Sequence, residues 1–228
     1  MARKRRFVVA ILVGTVLLLA GLAGVAWYAA HRVPEFYVRA VAMKPEEQKH
    51  ASDVLVRRTA TLSSDLRKKE NRWQALFTAE QINAWLAVDL PRNFAHALPP
   101  SFSEPRVDIR PGAFTAAVRY EGALGMTVLS VQTDLFLPQD QPETVAIRIK
   151  NVTAGSLPIG KSTVIDALSH AAREADWVLQ WRQIDGDPVA YLSAPTDSEN
   201  PARAAHLDKL ELRDGEIFFS GHTGEKGE

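Results

Sequence analysis

The chain has 228 residues, with 27 Lys and Arg against 27 Asp and Glu, and no cysteine. Disulfides, thiolate nucleophiles, cysteine metal sites and an acylated lipoprotein N-terminus are therefore excluded. Four of the basic residues are Arg3, Lys4, Arg5 and Arg6; the rest of the chain carries 23 Lys and Arg against 27 Asp and Glu, a negative balance that argues against a nucleic-acid surface.

Phe7 to Ala30 is a run of 24 residues without Asp, Glu, Lys, Arg or His. A spanning helix needs about 20 apolar residues. The basic flank before the run predicts a cytoplasmic N-terminus and an extracytoplasmic C-terminal part, with Trp27 and Tyr28 at the outer headgroup level. Gly24-Val25-Ala26 offers a small-x-small cleavage site. Signal-peptide cores run only about 7–15 residues, however, so the length favours an uncleaved single-pass anchor.

Beyond the anchor, Pro45, Glu46 and Glu47 suit the first turn of a helix. Ala51, Val54, Leu55, Leu62 and Leu66 give that helix one apolar stripe, up to about Lys69. Its expected role is to stand off from the membrane and pack against the domain with one face. Thr78-Ala79-Glu80-Gln81 has the capping-box pattern, with Phe77 before the cap, and opens a helix expected to stop at Pro91.

From Val107 the period becomes two. Val107 and Ile109 lead to a Pro111-Gly112 turn; Phe114, Ala116, Val118 and Tyr120 share a face, as do Leu129, Val131 and Leu135, then Val145, Ile147 and Ile149. This alternation predicts antiparallel strands with one dry face. A helix is predicted from about Gly160 to Glu174. Trp177, Leu179 and Trp181 then alternate up to an Asp185-Gly186 hairpin turn, and a last hairpin turns at Asp214-Gly215. Thr196 to Ala205 reads as a polar loop.

The predicted fold is α+β: a transmembrane helix, a long charged helix, then a curved antiparallel sheet of seven or eight strands packed on helices. The expected divisions are a basic cytoplasmic tail (1–6), the anchor (7–30), a juxtamembrane linker and long helix (31–72), an extracytoplasmic α+β domain (73–220) and a disordered tail (221–228).

Gly155 to Ser162 fits the phosphate-loop pattern G-x-x-x-x-G-K-[ST]. The predicted topology places it away from cytoplasmic nucleotide. Pro158 removes a backbone N–H from a loop that would have to present such groups to phosphate, and the segment after it reads as hairpins rather than βαβ units. An ordinary strand-to-helix turn is expected, with no nucleotide and no cofactor.

None of the six histidines sits four residues from another histidine or a carboxylate in a ligand pattern, so no metal is expected. Asp185 and Asp187 flank a turn glycine without the other ligands of a calcium loop. Asn151-Val152-Thr153 is a glycosylation sequon by pattern alone. No G-x-S-x-G element is present, and no acid–base pair has recognisable spacing, so an enzyme is not expected. The aromatic residues allow two readings, core packing or an apolar groove, with Trp85, Leu86, Leu129, Val131, Trp177 and Trp181 as the candidate groove residues.

Phe77-Thr78-Ala79-Glu80-Gln81-Ile82-Asn83-Ala84-Trp85-Leu86 resembles the F-T-x-x-Q-h-N-x-h-L element, h being apolar, of the YpmS-like bacterial single-span proteins. Ala154 to Ile159 is similar to that family's G-x-L-P-h turn, and Leu210 to Ile217 resembles an L-x-L-x-D-G-x-h hairpin of extracytoplasmic lipid-associated domains. The charged helix after the span and Asp89 to Phe94 depart from the pattern. The resemblance implies a curved sheet around a helix, similar to tubular lipid-binding domains. The expectation is a membrane-anchored binder of a lipid or other apolar ligand; the alternative is a ligand-free envelope scaffold that binds a partner protein.

Overall fold

The computed structural model describes residues 18–68, 72–122, 125–141, 144–193 and 205–224. The basic tail, residues 7–17 of the apolar run, the 196–204 loop and the end of the expected tail lie outside these residues. Helix α1 covers 18–30. Among the described residues no helix is long and apolar enough to cross a membrane.

The chain continues through α2 (Glu35–Val41), α3 (Pro45–Leu66), β1 (Arg72–Thr78), α4 (Ala79–Asn93), β2 (Phe102–Arg110), β3 (Ala113–Gly122), β4 (Gly125–Phe136), β5 (Thr144–Ala154) and β6 (Leu157–Pro158). It ends with α5 (Ser162–Glu174), β7 (Val178–Ile184), β8 (Asp187–Ser193), β9 (Ala205–Arg213) and β10 (Glu216–Thr223). The strands make two antiparallel sheets rather than one. The larger runs β2-β3-β4-β5-β8-β7, with β6 on β5; the smaller runs β1-β10-β9. The architecture is thus α+β, with antiparallel sheets packed against helices.

Local signals set the element ends. Pro45 stands in the first turn of α3 with Glu46 and Glu47 beside it. Thr78 Oγ1 accepts from Gln81 N at 3.1 Å, and Gln81 Oε1 accepts from Thr78 N at 3.3 Å, closing the capping box of α4. Pro91 does not end α4, which runs on to Asn93. So near the C-terminus the missing N–H costs a single helix bond, and Phe94 N still closes on Leu90 O at 2.9 Å. Asp185 and Gly186 both have positive φ, 50° and 82°, as a two-residue hairpin of the β7–β8 kind needs.

Asn83 clasps the free edge of β2: its Nδ2 donates to Val107 O at 2.8 Å, and its Oδ1 accepts from Val107 N at 2.7 Å. The β9–β10 turn joins both layers, since Gly215 N donates to Ile109 O and Gly215 O accepts from Ala79 N. Helix α3 packs along α4 and β1, and Ser52 Oγ bonds Asp89. The segment expected as linker and spacer is thus packed into the fold. Tyr37 is 2% exposed in a cluster with Ala117 and Val128. Burial pushes its phenol pKa up, and its hydroxyl donates to Glu104 O at 2.8 Å.

That cluster corrects the expected dry face. In β3 Ala117 is buried and Ala116 exposed; in β4 Val128 and Ser130 are buried while Leu129 and Val131 are half-buried. Helix α2 covers the face on which the alternation placed polar residues, so neither face of this sheet is simply wet. The expected tail is also shorter than predicted, because β10 includes Gly221, His222 and Thr223.

Candidate ligand cleft

The six groove residues do not form one site. Trp85 and Leu86 are half-buried on α4, at the β2 edge of the large sheet, and Trp85 packs on Phe94 with ring centroids 6.0 Å apart. Leu129 and Val131 lie mid-sheet, opposite Val118 and Ala116 of β3. Trp181 is on β7, five strand intervals from β2, or about 24 Å at the usual spacing. Its Nε1 donates to Ser169 Oγ of α5 at 2.9 Å. Trp177 precedes β7 and is 42% exposed. It completes a Schellman end of α5: Asp176 takes φ 54°, and Trp177 N donates to Ala172 O at 2.9 Å.

The phosphate-loop match is a strand turn in which three backbone donors are already engaged. Gly155 N donates to Val128 O, Ser156 N to Ala29 O and Ile159 N to Val152 O. Lys161 points back to the sheet, where Nζ donates to Ile149 O at 2.9 Å and to Asp187 Oδ1 at 2.8 Å. Asp187 also takes Arg148 Nε at 2.8 Å and lies 3.5 Å from Lys150 Nζ. Hydrogen bonds from Lys161 and Arg148 lower the Asp187 carboxyl to about 2.

His170 does sit four residues before a carboxylate, a correction to the expected spacing: Nε2 is 3.3 Å from Glu174 Oε1 on the exposed side of α5. His206 and His222 stack at 4.7 Å, and His222 Nδ1 is 2.9 Å from Asp208 Oδ2. Among the described residues no group of three or more His, Cys, Asp or Glu could hold a metal ion.

A cleft opens elsewhere, between α3 and the small sheet. Its volume is about 440 Å³, within the range of small-molecule sites. Leu62, Ala75, Leu76 and Phe218 supply apolar wall, and Arg57, Arg58 and Arg213 bring three guanidinium groups to it. Arg58 is a strut, donating to Leu76 O at 2.7 Å and to Gln81 Oε1 at 3.4 Å. The Arg213 guanidinium lies 4.9 Å from the Phe218 ring centre and donates to Glu211 Oε2 at 2.6 Å. Hydrogen bonds from Lys209 and Arg213 hold the Glu211 carboxyl below its usual value. Arg57 is exposed and has no ion-pair or hydrogen-bond partner for its side chain among the described residues.

The arrangement suits a ligand with an apolar body and an anionic end. The sheet wall of the cleft forms because β1 pairs with β10, Arg72 opposite His222 and Thr78 opposite Glu216. The alternation of Trp73, Ala75 and Phe77 is the sequence signal for β1, a short one beside the stronger helix signal that follows. Family models, curated proteins and solved structures were all compared with this chain, and none matches it.

Proposed function

We propose that the chain is a membrane-anchored, extracytoplasmic domain that holds an anionic amphiphile, such as an acidic lipid, in the cleft between α3 and the small sheet. The observation that carries the reading is Arg57, unpaired among the described residues, beside an apolar wall of Leu62, Leu76 and Phe218. Burying an acyl chain on that wall gains roughly 25 cal/mol per Å², and a guanidinium supplies directional donors for a phosphate or carboxylate end. The apolar run Phe7–Ala30 and its basic flank support the tether and its orientation.

Native mass spectrometry of the full chain released from nanodiscs tests the reading. Nanodiscs of phosphatidylglycerol mixed with phosphatidylcholine should leave one acidic lipid retained in preference to the zwitterionic one. Arg57→Gln should remove that preference, and Leu62→Asp, which charges the wall, should abolish retention. Equal retention of both lipids, or no change in either variant, refutes the cleft as the site.

A further inference from the structure

We propose that the end of the large sheet beside α1 is a bilayer-facing surface, with the start of β4 and the β6–α5 turn seated in the headgroup layer. This rests on the anchor reading of Phe7–Ala30 and is independent of the cleft. The last carbonyls of a helix have no partners within it. Here the domain supplies them from far along the chain. Ser156 gives two donors to Ala29 O, its backbone N at 2.8 Å and its Oγ at 3.1 Å. Thr127 Oγ1 donates to Ala30 O. Trp27 O takes His31 Nδ1 at 2.7 Å.

Gly155 makes this approach possible. Its φ is +59°, and a Cβ there would lie 2.5 Å from both the Ala29 and the Ala30 oxygen. The sheet is therefore fastened to the helix end rather than hung from a free linker. Large apolar side chains are exposed around the same junction: Trp27 at 53%, Met126 at 59% and Ile159 at 38%. Met126 adjoins the clamp residue Thr127, and Ile159 lies three positions beyond Ser156. Aromatic and apolar groups continuous with an apolar span fit the boundary between headgroups and acyl chains. The partner the surface fits is the bilayer that holds the span.

The absence of native cysteine makes single-cysteine depth probes specific. Met126→Cys, Ile159→Cys, Val178→Cys and Leu19→Cys in the full chain would each carry an environment-sensitive fluorophore, in liposomes containing nitroxide-labelled lipid. Val178 is the distal reference. Its strand neighbours lead through Ser193 to Thr144, ten residues along β5 from Ala154, or about 30 Å from the clamp. Quenching several-fold stronger at 126 and 159 than at 178 is expected, with deep quenching at 19. Gly155→Ala should bring 126 and 159 down to the level of 178 while 19 stays quenched; Ser156→Ala is the milder variant if Gly155→Ala misfolds. Equal quenching at 126, 159 and 178 with 19 still quenched overturns the proposal and leaves the anchor. Loss of quenching at 19, 126 and 159 overturns both. Strong quenching at 126 and 159 without any at 19 keeps the surface and removes the anchor.

Discussion

The two regions where basic side chains gather differ in what those side chains have left to give. At Asp187, Lys161 and Arg148 spend their donors on a carboxylate and on a strand carbonyl left open between β6 and β8. At the cleft, Arg58 is a strut and Arg213 is shared between Glu211 and a ring, but Arg57 is uncommitted among the described residues. Charge alone does not distinguish Lys161, which fits a nucleotide motif, from Arg57, which fits none. The accounting of donors does: a saturated cluster closes a structure, and an unsaturated one beside an apolar wall is open to a ligand.

The largest effect is expected at a second saturated site, the β2 edge at the far end of the same sheet. Asn83→Ala removes both partners of Val107 at once, in a place where Asn83 is only 5% exposed. Two buried backbone groups left unmet cost about 2–4 kcal/mol together, read as a lower urea midpoint with an unchanged slope. A loss below about 1 kcal/mol would show that water reaches the edge and that the clasp is incidental.

A smaller loss is expected for Lys161→Met, which frees Ile149 O and takes one cation from Asp187. Its urea midpoint should fall, but by less than that of Asn83→Ala. An unchanged midpoint would place Lys161 with Arg57 among the uncommitted cations and erase the contrast.

The same cluster predicts a pH window. The Asp187 carboxyl is lowered to about 2 by its hydrogen bonds from Lys161 and Arg148, against about 3.9 for a free aspartate. A lowered acid stabilises the fold above the unfolded value and loses that contribution as pH falls through the folded one. The stability gap between wild type and Asp187→Asn should therefore be constant above about pH 5 and close between about pH 4 and 2. A gap that closes near neutral pH would implicate a different group.

What could be read from the sequence follows from how far each signal reaches along the chain. Thr78 and Gln81 announce their helix because the cap lies within four residues, and Asp185-Gly186 announces its hairpin because the turn needs positive φ at two adjacent positions. Leu129 and Val131 were rightly placed on one face, but alternation is silent about what covers the other face. There α2 brings Tyr37 over Ala117 and Val128. Trp85 and Trp181 shared a composition, not a neighbourhood, since strand order alone sets them at opposite ends of the sheet. The clamp on α1 was hidden in the same way: Ser156 meets Ala29 across 127 positions, and neither the nucleotide pattern nor the G-x-L-P-h turn that contains Gly155 points to a helix so far back in the chain.

The smallest effect on stability is the one that decides the contrast. Arg57 is exposed and unpaired among the described residues, so Arg57→Gln should leave stability within about 0.5 kcal/mol of wild type. If the cleft holds an anionic amphiphile, the same change should remove the preference for acidic over zwitterionic lipid, because the remaining guanidinium groups are already engaged at Leu76 and Glu211. A conservative Arg57→Lys keeps the charge but not the paired donors, and should restore part of that preference. Full preference in Arg57→Gln would refute the cleft as the site, because Arg58 and Arg213 are already engaged at Leu76 and Glu211.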